Sequence, residues 1–155
     1  METSSTAMTV LLHGAGAGPW VWERVVARLN GPAFAPEYPG REAGATPERC
    51  ADAIVTQLDR AGINNVVLVL HSLAGVLAAP LATRLGARLN HLVLVAAVVP
   101  EPGRTFAHAM GFPARLVLPL LFRFRPGGLK PSPRMLRGEL CGDLSPEDAD
   151  EVVER

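Results

Sequence analysis

Val66-Val67-Leu68-Val69-Leu70-His71-Ser72-Leu73-Ala74-Gly75 is the stretch on which the fold turns. Its opening run of Val and Leu lacks polar alternation, which marks a strand buried on both faces, as strands of parallel sheets are. A serine follows at once, and small residues Ala78, Ala79 and Ala82 lie just beyond it. A serine between a buried strand and a helix sits on a tight turn that exposes its hydroxyl above the strand's carboxyl end. The helix's first amides there favour developing negative charge. The plainer reading is that Ser72 caps a helix, since serine is a favoured N-cap. The G-x-S-x-G pattern is incomplete: Leu70 stands at the first glycine, Ala74 at the last, and Gly75 comes one place later.

Upstream, Val10-Leu11-Leu12-His13-Gly14-Ala15-Gly16-Ala17-Gly18 places a glycine-rich loop after a second apolar run, with Trp20 and Trp22 opening a helix. Such a loop can cradle a phosphate, but it carries no Lys-Ser/Thr pair, so it is not a P-loop. Gly14, Gly16 and Gly18 miss the dinucleotide spacing, because Pro19 and Trp20 stand where a third glycine is wanted. No cofactor and no metal is therefore expected.

Three β-rich runs, Thr9–Leu12, Val66–Leu70 and Leu92–Ala97, alternate with helical segments, and a weaker extended piece at Ala33–Tyr38 closes on Pro39-Gly40. Alternation of this kind builds a mostly parallel sheet flanked by helices, an α/β fold. Thr46-Pro47 opens one helix, with Ala51, Ile54, Val55 and Leu58 on its apolar face until Ala61-Gly62. Pro19 to Leu29 reads as another, with Trp20, Val21, Val25, Val26 and Leu29 toward the core, and Leu73 to Leu85 as a third. After Val99 eight prolines break the chain. Arg115–Phe124 is apolar with arginines at its ends, and Ser145-Pro146-Glu147 opens a helical tail. The expected division is a core over residues 1–100 and a lid-like helical segment over 101–155.

Bulk properties narrow the function. A chain of 155 residues, 48% hydrophobic and 19% charged, is globular rather than disordered. Fifteen basic residues match fifteen acidic ones, so no basic surface for nucleic acid is expected. The polar start lacks the features of a signal peptide, and the apolar runs fall far short of the roughly 20 residues of a membrane span. A cytoplasmic location is the expectation. Cys50 and Cys141 are too few and too isolated for a zinc site or a disulfide framework and read as packing residues.

The His13-Gly14 loop and the His71-Ser72-Leu73-Ala74-Gly75 turn, one crossover apart, together resemble the α/β-hydrolase family. Ala35-Pro36-Glu37-Tyr38-Pro39-Gly40 looks like that family's short strand ending in a Pro-Gly turn. Small bacterial esterase-like and hydroxynitrile-lyase-like members are the nearest in character. The likeness is specific over residues 8 to 100 and loose beyond. It implies Ser72 as the catalytic nucleophile and an oxyanion hole made by the backbone amides of Ala15 and Leu73. It implies hydrolysis of a carboxylic ester or thioester of a small apolar substrate through an acyl-enzyme. Leu116, Val117, Leu118, Leu120, Leu121 and Phe122 would line the lid, or merely pack a helix. A non-catalytic binding protein and a lyase on the same fold are the alternatives. His13 and His71 read as structural.

Family triads run Ser, then Asp or Glu, then His. Only His91 and His108 follow Ser72. His91 begins the last strand, about 20 Å from its far end, so it lies at the wrong end. His108 sits in the lid segment and would need an unusual dyad geometry. Glu101 is a candidate acid with a blander reading as a solvated carboxylate, and Asp143 follows no strand. The expectation is a C-terminally truncated hydrolase with its later strands missing, inactive by itself. Its last strand is then an unpaired apolar edge open to self-association.

Overall fold

The computed structural model describes residues 6–40, 42, 44–101, 104, 112, 117 and 132–154. Four strands form one sheet: β1 (Met8–Leu12), β2 (Ala33–Phe34), β3 (Val66–His71) and β4 (Leu89–Val95), in the order β2-β1-β3-β4. Every pairing is parallel. The register sets Leu12 beside Leu70 and His71 beside Val95, so the carboxyl ends of β1, β3 and β4 finish together. That common edge is where ligands sit in open parallel sheets.

Val10, Leu12, Val66, Leu68 and Leu70 are fully buried, and α2 (Pro47–Arg60) and α3 (Ala78–Leu85) pack over them through Ala51, Ile54, Leu58, Leu81 and Leu85. Helix α2 follows its sequence signals closely. The Thr46 side chain accepts from the Arg49 amide at 3.2 Å, Pro47 occupies the first turn, and Ile54 and Leu58 share the buried face. At the far end Gly62 takes φ 66, the Gly62 amide donates to Asp59 O and the Ile63 amide to Leu58 O. This double bond is the glycine C-cap that satisfies carbonyls a helix end would leave bare. Arg84 of α3 reaches Asp52 of α2 at 2.6 Å, and Arg88 reaches Asp59 at 2.7 Å, fastening the helices together.

Elsewhere the elements depart from the periodic reading. Pro19–Trp22 is a 3-10 turn and only Glu23–Val26 (α1) is α-helical. A 3-10 turn has three residues per turn, so it rotates the face that a 3.6-residue pattern would carry inward. Trp22 is buried, whereas Val25, Val26 and Leu29, expected in the core, are 37–41% exposed. Strand β2 ends at Phe34, two residues before Pro36, which has no amide to give a ladder. Strand β4 begins at Leu89 rather than Leu92 and ends before Ala96, whose φ is 44. His91 is thus inside the strand, paired with Val67.

Beyond the sheet, α4 (Pro133–Leu140) and α5 (Pro146–Glu154) are joined by an Arg137–Asp150 ion pair. Ser145 accepts from the Asp148 amide at 3.2 Å, as its place before Pro146 predicts. Arg24 of α1 pairs with Asp148 and lies 3.5 Å from Glu151, holding α5 to the core. Residues 118–131, with most of the apolar lid run, and His108 lie outside the described residues; Val117 is described and exposed. Among the described residues no helix is long and apolar enough to cross a membrane.

Candidate active site

Ser72 follows β3 directly and opens a 3-10 turn, Ser72–Leu77, that runs into α3. Its φ is 53, in the left-handed region. For a residue with a β-carbon this costs about 1–2 kcal/mol, so the surroundings must hold it. The Ser72 carbonyl accepts from the Val98 amide at 2.9 Å, tying the turn to the chain that leaves β4. Gly75 lies against that same chain: a β-carbon there would stand 2.5 Å from the Val98 carbonyl oxygen. The glycine that reads as displaced by one position is therefore needed where it is, and Ala74, buried at the pattern's own glycine position, is tolerated.

The glycine-rich loop closes on the serine from β1. A β-carbon on Gly14 would lie 2.9 Å from the Ser72 β-carbon and 3.3 Å from both Ser72 Oγ and His71 Nδ1. Only a glycine lets the two backbones approach this closely. Ala15 follows at an exposed position, and Leu73 occupies the second position of the turn after β3. An amide so near a helix start has no intrahelical acceptor. The structure thus brings Ser72, Gly14-Ala15 and Leu73 to one end of the sheet.

The histidines divide as follows. His13 is buried; its Nδ1 donates to the Gly14 carbonyl at 3.0 Å, and its ring stacks on Tyr38 at 4.5 Å and 19°. His71 meets the Trp22 ring edge-on at 6.0 Å. His91 pairs with Val67, five residues before Ser72, and is exposed. No hydrogen bond joins Ser72 Oγ to a histidine among the described residues. Glu101 is exposed and paired with Arg104 at 3.2 Å, the behaviour of a solvated loop carboxylate. Asp143 is exposed in the turn before α5.

Two features escaped the sequence reading. Tyr38 donates its hydroxyl to the His13 carbonyl, and burial, with Cys50 and Glu37 nearby, pushes its ionisation well above the ordinary tyrosine range. Val98 braces the serine turn through its backbone, which carries no side-chain signal. A cleft of about 260 Å3 lined by Trp20, Val21, Arg24, Leu144, Asp148 and Val152 lies between the Pro19–Val26 segment and α5; no residue of the serine turn lines it. Among the described residues no group of three or more His, Cys, Asp or Glu is placed to hold a metal ion. Cys50 and Cys141 are both buried and unpaired, and burial raises the Cys50 thiol.

Residues 9–154 match the model of the alpha/beta hydrolase family, and the chain belongs to that family. No curated protein matches the sequence. Among solved structures it is similar to an extracellular alpha/beta-hydrolase from a Paenibacillus species, described as sharing structural and functional homology with tobacco salicylic acid binding protein 2. That match has 18% identity and a TM-score of 0.82 over 96% of this chain and 64% of the other. A mutant of tomato methylketone synthase I matches at 15% identity and TM-score 0.70, over 97% and 66% of the two chains. A pyrethroid hydrolase from Sphingobium faniae matches at 26% identity and TM-score 0.57, over 72% and 48%. The chain spans under two thirds of the length of the Paenibacillus structure.

Proposed function

We propose that Ser72 is the nucleophile of a serine hydrolase acting on a carboxylic ester or thioester of a small apolar molecule. The observation that carries this is the left-handed backbone of Ser72, held at φ 53 with Gly14 pressed against its side chain. Strain at a non-glycine residue persists only where the surroundings over-determine it, and such residues concentrate at reactive sites. In this reading Ser72 Oγ attacks the carbonyl carbon, and the alkoxide of an ester or the thiolate of a thioester leaves as an alcohol or a thiol. The amides of Ala15 and Leu73 hold the oxyanion in both steps, and water then releases the acid from the acyl-serine. Proton transfer needs a base other than the three described histidines, none of which is hydrogen-bonded to Ser72 Oγ.

The test is hydrolysis of a short-chain nitrophenyl ester by the complete gene product, where Ser72→Ala should lower the rate about a thousandfold or more. An activated phosphonate should label Ser72. Saturable ligand binding with neither turnover nor label would replace the enzyme by a binding protein on the same fold. Release of cyanide from a cyanohydrin in place of ester hydrolysis would make it a lyase. The two buried, unpaired cysteines support a cytoplasmic location. Among the described residues β4 has no strand on its outer side, which supports a separate reading, self-association through strand pairing.

A further inference from the structure

The segment from Pro36 to Gly40 contributes nothing to the nucleophile, yet it is packed onto the loop that carries the oxyanion donor. Tyr38 stacks on the buried His13 ring and donates its hydroxyl to the His13 carbonyl. Gly40 packs against its ring. The Gly40 amide donates to the Tyr38 carbonyl at 2.7 Å, and a β-carbon on Gly40 would stand 3.0 Å from the ring's Cε2. Gln57 of α2 holds the neighbouring Glu37 carbonyl at 2.6 Å, so Tyr38 is anchored to the core helix. The Glu37 carboxylate completes the surround, with Oε1 3.7 Å from His13 Nε2 and Oε2 3.7 Å from where a Gly18 β-carbon would be.

The consequence comes from peptide geometry. A carbonyl can only accept, so the 3.0 Å contact between His13 Nδ1 and the Gly14 oxygen fixes the proton on Nδ1. The Gly14 carbonyl and the Ala15 N–H belong to one planar trans peptide and point in opposite directions. Whatever holds the Gly14 oxygen therefore aims the Ala15 N–H. The His13 ring holds that oxygen, and Tyr38 holds both the ring and the backbone of His13. His13 Nε2 is buried without a hydrogen-bond partner, so the histidine is held by its stack on Tyr38 and its bond to Gly14 rather than by a second ring bond.

We propose that Tyr38 is a positioning residue for the oxyanion hole: through His13 it sets the direction in which the Ala15 amide points. This rests on the serine-hydrolase reading above. The test is Tyr38→Phe in the complete gene product, which keeps the stacked ring and removes the hydroxyl. Outright loss of an oxyanion donor costs roughly a hundredfold to a thousandfold in kcat, so a donor left present but loosely aimed should cost about tenfold, with KM within about twofold. Amide hydrogen exchange, followed by mass spectrometry, should rise in the 13–18 loop while the β1 amides stay protected. A variant with the parent's kcat, or with unchanged exchange across 13–18, overturns the proposal. If the parent neither hydrolyses ester nor takes up the phosphonate, the hydrolase reading fails, and the exchange result alone decides the role of Tyr38.

Discussion

Strands β3 and β4 lie side by side and are written in nearly the same residues, Val-Val-Leu-Val-Leu-His against Leu-Asn-His-Leu-Val-Leu-Val. Leu68 and Leu70 are fully buried, whereas Leu92, Val93, Leu94 and Val95 are 40–48% exposed. Leu68 faces Leu92 directly across the ladder, so the contrast is between neighbours at one level of the sheet. β3 has β1 on one side, β4 on the other, and α2 and α3 over it; among the described residues β4 has a strand on one side only. An apolar strand becomes core through what flanks it. Its own composition states only that it is suited to be flanked.

The contrast can be broken most directly by paired truncations. Leu68→Ala should lower unfolding free energy by about 2–5 kcal/mol, the usual range for a buried leucine. Leu92→Ala should cost under about 1 kcal/mol, as exposed substitutions do. Urea titrations of both would measure this; equal losses would mean that β4 is covered in solution. A smaller effect on stability, but a visible one on assembly, is expected of Leu94→Lys. An inward or edge lysine discourages strand addition, so the variant should sediment as a smaller species than the parent at high concentration. A parent that sediments as a monomer at every concentration would remove the self-association reading.

The smallest effect should come from the helix pair behind β3. Arg84 beside Asp52 holds that carboxyl below its ordinary range, chiefly through their hydrogen bond. A carboxylate depressed in the folded state adds stability that is complete above its unfolded value and fades as pH falls through the folded one. The pair should therefore contribute fully at neutral pH and lose its contribution below about pH 4. Asp52→Asn should flatten that part of a stability-against-pH curve. Asp52 is exposed and Arg84 only half-buried, so solvent screening keeps the difference small.

Much of the site was legible because backbone demands leave marks on residue choice. Gly14 is a glycine because Ser72 lies against it, and Thr46, Pro47 and Gly62 stand where a helix must start and stop. The illegible parts are those that work through carbonyls and amides of unremarkable residues. The Val98 amide on the serine turn and the His13 carbonyl under Tyr38 could have been offered by any side chain. The face of the first helical segment was misread because a 3-10 turn and an α-helix share the same short-range spacing and differ in phase.

The sequence by itself determined the α/β class, the order of its strands and helices, the family and the candidate nucleophile, since each rests on local pattern: buried runs, caps, and glycine where backbones meet. Tertiary structure alone decided which apolar strand is buried, why Gly75 sits one place late, and how Tyr38, thirty-four residues from Ser72 by number, comes to hold the loop that faces it. Those are contacts between distant segments, and a pattern read along the chain carries the fitness of a residue for burial or bonding but not the identity of its partner.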